Sequence, residues 1–241
     1  MKPFSEEQEI IVQEMLDDNF SRNGRLDVSE DCMRDITTSV LGIEGFKSKA
    51  NFMFYDCRTP TIGLEFKKRL FDNPESQIGR YVEFTTSRTI DRVPMSDATE
   101  SIHYISGKYN AAIDEFENDC GGNVWFAGAL YSKDTLVYYH EKIDRFDPSR
   151  FRGEWRDSIA RAGSVPTHNL YVYDIETGEH LWTYLTKGEK LQVKFRVPER
   201  DNVHVFKAEK KYFYMKVSME DNAKVINSFG SWTALFERLN G

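Results

Sequence analysis

Two runs of alternating apolar and polar residues, separated by a cluster of turn formers, constrain this chain more than any other feature. They lie in Thr61–Arg88, which reads TIGLEFKKRLFDNPESQIGRYVEFTTSR. Thr61–Phe71 and Tyr81–Ser87 each follow the period of two of a half-buried strand, and the eight residues Asp72–Gly79 between them gather Asp, Asn, Pro, Ser and Gly. The pattern predicts two strands joined by a hairpin loop. Residues two apart on a strand share a face. Glu65 and Lys67 therefore share one face, with Leu64, Phe66 and Lys68 on the other, and Glu83 and Thr85 share a face on the second strand. A carboxylate and an ammonium on one strand, facing a carboxylate on its neighbour, can hold a divalent cation beside a phosphate.

Around this centre the chain punctuates itself clearly. Ser5-Glu6-Glu7-Gln8 is a capping box, and Ile10, Ile11, Met15 and Leu16 follow it at helical spacing, predicting a helix that ends before Ser21–Gly24. A second capping box, Asp27–Glu30, opens a helix to Leu41 with Val28, Cys32, Ile36 and Val40 on one face. Phe52–Tyr55 reads as a strand running into the turn Asp56–Pro60. A third box, Asp97–Glu100, starts a helix whose apolar face is Ile102, Ile105, Ala112, Ile113, Phe116 and Cys120, stopped by Gly121-Gly122. Asn123–Tyr131 and Thr135–His140 are buried strands about a tight turn. Helix, three strands, helix, strand, strand is the order of an α/β (α+β) core: a mixed sheet flanked by helices, with a meander followed by a helical crossover.

The C-terminal part is β-rich. A hairpin is predicted from Asn169–Asp174 and His180–Leu185, then strands at Lys190–Val197, His204–Phe206 and Tyr212–Val217, and a helix through Leu235 and Leu239. Before these, Ile143–Gly163 sets Arg145, Arg150, Arg152, Arg156 and Arg161 among Phe146, Phe151 and Trp155. That segment reads equally as a phosphate-tracking surface with stacking aromatics or as a helix of Arg–carboxylate pairs. With no Pro/Gly/Ser linker, residues 1–142 are expected to form the core and 143–241 an elaboration packed on the same domain.

Composition narrows the function classes. A formal net charge of −7 excludes a generally basic nucleic-acid coat but leaves room for a local basic face. No apolar run approaches the ~20 residues of a membrane helix, and the N-terminus has no secretory pattern, so the expected setting is the cytoplasm without membrane contact. Cys32, Cys57 and Cys120 are odd in number and widely spaced, so they are expected to be reduced, with Cys32 and Cys120 in the core. The five histidines lack metal-ligand spacing, and no phosphate-binding Gly-rich loop, serine-hydrolase elbow or Cys–His nucleophile pattern stands out.

The element order, with acids and a lysine on its central strands, resembles the PD-(D/E)xK nuclease superfamily, whose best-known members are the type II restriction endonucleases. The resemblance covers about Asp27 to His140. It implies an αβββαβ core, Mg²⁺ as cofactor, duplex DNA as substrate and a homodimer that cuts both strands. In that family an acid on the second strand and an acid-x-Lys on the third bind the metal and position a water. Two alignments meet the pattern here. One takes Asp56 as the leading acid and Glu65-Phe66-Lys67 as the acid-x-Lys element, leaving Tyr81–Ser87 without a place. The other, preferred on element order, makes Tyr81–Ser87 the third strand, so that Glu65 and Glu83 bind Mg²⁺, Lys67 supplies the amine and Thr85 stands at the family's lysine position. Asp56 is then a further ligand, and Arg88, Arg145, Arg150, Arg152 and Arg156 contact DNA.

Each feature also has a plainer reading. Glu65 and Lys67 can be a same-face ion pair worth under ~1 kcal/mol, Glu83 the outward residue of an edge strand, and Asp56 a turn residue. A non-catalytic nucleic-acid- or protein-binding protein with a degenerate nuclease-like fold is the alternative of a different class.

Overall fold

Ser5 opens α1 (Glu6–Asn23) through the predicted reciprocal cap: its hydroxyl accepts from the Gln8 N–H, and the Gln8 side chain accepts from the Ser5 N–H. The structure, a computed structural model, describes residues 2–42, 44–45, 56–58, 62–86, 89–120, 122–158 and 165–211. The helix passes the predicted stop and ends at Gly24, whose left-handed backbone (φ 66°) suits glycine. Val12 and Leu16 form its buried side, whereas Ile10 and Ile11 are exposed. α2 (Glu30–Leu41) is capped by Ser29 rather than Asp27, two residues of similar capping strength. Val28, Met33, Ile36 and Val40 are buried, but Cys32 is only half-buried; Cys57 is in the core, and the Cys120 side chain lies outside what the structure describes.

In chain order the remaining elements are β1 (Glu44–Gly45), β2 (Cys57–Arg58), β3 (Ile62–Leu70), β4 (Tyr81–Thr85), α3 (Ala98–Cys120), β5 (Asn123–Tyr131) and β6 (Thr135–Lys142). They are followed by β7 (Phe151–Asp157), β8 (His168–Asp174), β9 (His180–Leu185), β10 (Lys190–Arg196) and β11 (Val203–Lys207). The first sheet runs β1-β2-β3-β5-β6-β11 and is mixed: β3 and β5 are parallel, as the predicted crossover through α3 requires. The second runs β4-β10-β9-β8-β7 and is antiparallel. The fold is α+β. Its two halves interleave, since β4 joins the second sheet and β11 the first.

The central hairpin does not form. β3 and β4 are both strands, as their alternation predicts, but they belong to different sheets. The Phe71 N–H still donates to the Tyr131 carbonyl, so β3 follows β5 to its end. A 3-10 turn at Pro74–Gln77 and Gly79 (φ 75°) then redirect the chain, and bonds between Gly79, Arg80 and Val197 lock β4 onto β10. Alternation fixes which face a side chain takes, not which strand lies alongside. The Arg-rich segment likewise forms no helix over 151–157; those residues are β7. The predicted elements at 52–55, 212–217 and the C-terminus lie outside the described residues.

The layers follow from side-chain size. α1 and α2 cover one face of the first sheet over Leu64, Phe66, Ala127, Ala129 and Tyr138. The other face meets α3 and the second sheet through Phe126, Val137, Tyr139, Leu170 and Trp182. α3 touches both sheets closely. A Cβ at Gly63 would lie 1.5 Å from the Phe116 ring, and one at Gly153 would lie 2.8 Å from Ile102. Gly107, midway along α3, has nothing within 4 Å of its would-be Cβ. Two alanine substitutions should therefore differ in sign. Gly63→Ala is expected to destabilise by about 1–3 kcal/mol through overpacking, and Gly107→Ala to stabilise by up to about 1 kcal/mol; the shift in urea midpoint checks both.

Two histidines sit where strands β6 and β11 meet α1. His204 is buried, its Nε2 accepting from the Phe4 N–H at 3.0 Å and its Nδ1 lying 3.2 Å from Glu9. His140 contacts the Tyr138 hydroxyl at 2.9 Å, and burial, helped by His204, pushes its pKa down to about 3. Burial also lowers that of His204, despite Glu9. In the unfolded chain both titrate near 6.5, so the unfolded state binds more protons as pH falls from 7 towards 3, and stability falls with it. Melting temperature should drop across that window, and His140→Gln should flatten the drop. An unchanged slope in the variant would count against burial of a neutral His140.

Candidate active site

β3 places the acid and the lysine by simple alternation. Leu64 and Phe66 enter the helix-side core, so Glu65 and Lys67 turn towards the second sheet. Their side chains are 6% and 19% exposed and form an ion pair. Phe84 and Phe195 of the second sheet close over Glu65, with Phe126 beside it on β5: Phe126 stacks on Phe195 at 4.2 Å between centroids and meets Phe84 at 4.9 Å. The space left is about 10 Å³, room for about one water. Beyond Phe195 lies a wider groove of about 420 Å³, lined in part by Glu141, Asp144, Arg150 and Arg196.

Asp56 is held across the ladder from Glu65. Its N–H donates to the Leu64 carbonyl at 2.8 Å, and its carboxylate accepts from the Phe66 N–H at 2.9 Å. Those two bonds bracket Glu65, so the two acids occupy neighbouring positions on adjacent chain segments. The three residues Asp56, Glu65 and Lys67 are thus brought together by one β2–β3 connection.

The register extends the site sideways. Lys67 lies beside Gly128, and Gly128 beside Tyr139. The Tyr139 ring covers the glycine, since a Cβ there would come within 2.2 Å of it, and its buried hydroxyl has no hydrogen-bond partner among the described residues. Burial pushes that phenol well above its usual pKa. In the next row Glu65, Phe126 and Glu141 align, and burial together with Asp144 raises the Glu141 pKa. Sequence reading passed over Tyr139 and Glu141; the one available signal was a glycine inside the otherwise bulky strand NVWFAGALY.

Glu83 does not join this group. On β4, Val82 and Phe84 enter the core between the sheets, so Glu83 takes the opposite face beside Lys194 of β10. Its contact with β3 is through the backbone: the Glu83 carbonyl accepts from Arg69 at 2.5 Å. The expected Glu65–Glu83 pairing fails because it required β3 and β4 to be neighbours. Of the cations, Arg88 lies outside the described residues. Arg145 bonds Asp114 and Glu117 on α3, and Arg150 pairs with Asp174 at 3.0 Å. Arg152 and Arg156 lie over Tyr173 and Tyr171 on the exposed face of the second sheet. Among the described residues, no three His, Cys, Asp or Glu side chains cluster as a metal site.

Comparison of the chain with protein-family models, curated proteins and solved structures returned no match. Function is therefore read from geometry alone.

Removing the ammonium from beside a nearly buried carboxylate is costly. Lys67→Met should destabilise by about 1–3 kcal/mol, and Glu65→Gln in the same chain should recover part of the loss. A double-mutant cycle in urea measures the coupling; additive effects would mean that the pair contributes nothing to the fold.

Proposed function

We propose that the chain is a Mg²⁺-dependent endonuclease of the PD-(D/E)xK type, hydrolysing phosphodiester bonds of duplex DNA at specific sites. The observation that carries this reading is Asp56 held across from Glu65-Phe66-Lys67 on a mixed sheet in which β3 and β5 run parallel, with β4, in the second sheet, and α3 between them in the chain. This corresponds to the first of the two sequence alignments; the strand that alignment leaves over, β4, pairs with β10 in the second sheet.

The donor set suits the ion. Mg²⁺ takes one or two carboxylates, keeps several waters and shares the substrate's phosphate oxygens, so Asp56 and Glu65 are sufficient ligands. When bound, the ion neutralises phosphate charge and makes its water more acidic. Lys67 holds its ammonium against Glu65, where it orients the attacking water and offsets charge on the phosphate. Water oxygen would bond to phosphorus as the P–O bond to the leaving sugar oxygen breaks, the attacking water losing a proton to solvent and the sugar oxygen taking one up, which leaves one phosphate end and one hydroxyl end. Arg150 and Arg196 in the adjoining groove supply cations for the DNA backbone, and Phe195 must swing aside for a phosphate to reach Glu65.

The cover of three phenylalanines favours a second reading, a nuclease-like binding protein without catalysis, because a space for one water admits no phosphodiester. Incubating plasmid and random-sequence duplexes with Mg²⁺ or EDTA separates the two. Discrete Mg²⁺-dependent fragments are expected, with Asp56→Asn, Glu65→Gln and Lys67→Ala each slowing cleavage on the order of 10²–10⁴-fold and Glu83→Gln leaving it intact. Cleavage that survives Asp56→Asn but not Glu83→Gln would reinstate Glu83 as a ligand. No cleavage of any duplex would favour the binding protein.

A further inference from the structure

The second sheet has one face in the core and one towards solvent, and the solvent face is built unlike an ordinary polar surface. β7 contributes Arg152 and Arg156, β8 Tyr171 and Tyr173, β9 His180 and β10 Lys194. Cross-strand register places Arg152 beside Tyr173 and Tyr173 beside His180. The Arg156 guanidinium lies 3.9 Å above the Tyr171 ring and donates to the Tyr173 hydroxyl at 2.8 Å. Arg152 lies 5.1 Å from the Tyr173 ring, and the His180 ring is within 5.3 Å of Tyr173 and 5.9 Å of Tyr171. The result is a contiguous platform of π faces and guanidinium planes.

The charge of this face runs against the chain as a whole. The net charge is −7, yet here Arg152, Arg156 and Lys194 stand against Glu154 and Glu83. Glu154 is engaged by Arg156 at 3.2 Å, and Glu83 lies across from Lys194. Cations on β7 also protect an edge strand from pairing with another chain. That role explains the charges on the edge but not the rings behind them on two inner strands.

We propose that the outer face of this sheet binds single-stranded nucleic acid, with bases stacking on the layers that Arg152 and Arg156 form with Tyr173 and Tyr171 and on His180, and phosphates held by Arg152, Arg156 and Lys194. Every base has a π face, so such stacking is sequence-tolerant, and it needs bases that are free of a duplex. A duplex would present this flat platform with phosphates alone. The surface lies across the second sheet from the Glu65 cavity, and its occupancy does not depend on cleavage.

Fluorescence anisotropy of the full chain with a labelled oligothymidylate of about a dozen residues, in EDTA and low salt, tests this directly. The oligothymidylate should bind more tightly than a duplex of the same length. Tyr171→Leu and Tyr173→Leu should each weaken binding about 5- to 150-fold. Arg156→Gln should weaken it and reduce the slope of log K against log salt by about 0.7. Lys133→Gln, an exposed turn residue on the other sheet, should change nothing. Should the tyrosine variants lose their circular dichroism signature, Arg152→Gln and Arg156→Gln on exposed positions carry the test. The proposal is overturned by any of three results: no binding of the single strand at micromolar protein, tighter binding of the duplex, or equal competition by polyglutamate, which would assign the face to an acidic protein.

Discussion

The close approach of α3 to both sheets determines most of what surrounds it. Parallel strands β3 and β5 require a crossover that lies on a face of their sheet, and Gly63 and Gly153 let that helix seat Phe116 and Ile102 against backbone on either side. A helix held this tightly fixes the spacing of the two sheets. It also ends its cover at a definite place: Gly63 lies under Phe116, whereas Glu65, two residues along the same face, lies under Phe84 and Phe195 with Phe126 beside it. The acid and lysine therefore sit where roofing passes from helix to second sheet, a seam that contains charge because no helical side chain fills it.

Charge in such a seam is not a device for stability. Desolvating a carboxylate and an ammonium costs several kcal/mol per ion, and apolar residues of similar volume usually serve a core as well or better. Leu64 and Phe66 show what β3 does when packing alone decides. Glu65 and Lys67 alternate with them, and Asp56 is anchored by two bonds to the residues on either side of Glu65; this is the charge that the proposed chemistry would use. The aromatic roof strengthens every interaction beneath it, because it keeps water and its high dielectric out.

What the sequence made legible was local. The capping box at Ser5, the Asp97 start of α3 and the period of β3, β5 and β6 all rest on interactions within a few residues, and each corresponds to an element of the fold, whereas α1 runs past its expected stop to Asn23. Strand neighbours were not legible. The alternation of Tyr81–Thr85 is satisfied equally by β3 or by β10, more than a hundred positions later, and the second sheet took it because residues 72–79 turn away from β3. The displaced lysine and the Glu83 site followed from that single wrong neighbour. The proximity of Asp56 to Glu65 and Lys67 was readable because few residues separate them along the chain. Tyr139 and Glu141 were not, because only the register of β5 against β6 brings them into the same rows. In β7 the residues were read as charged and aromatic, but Gly153 against α3 makes the segment a strand whose arginines all face outward.

The two surfaces of interest share strands, and this ties them together. Phe84 and Glu83 are neighbours on β4, and Phe195 and Lys194 are neighbours on β10. The first of each pair roofs the Glu65 cavity while the second belongs to the outer face. A slip of one residue in either strand would exchange these roles, turning phenylalanine to solvent and charge into the seam. Stacking of Phe195 on Phe126 and the hydrogen bonds from Gly79 and Thr86 that flank β4 oppose that slip at both ends. In the proposed reaction, access to Glu65 would come from side-chain rotation of Phe195 rather than from strand displacement, since the rotation breaks the stack on Phe126 and the displacement would break the β4–β10 ladder with it.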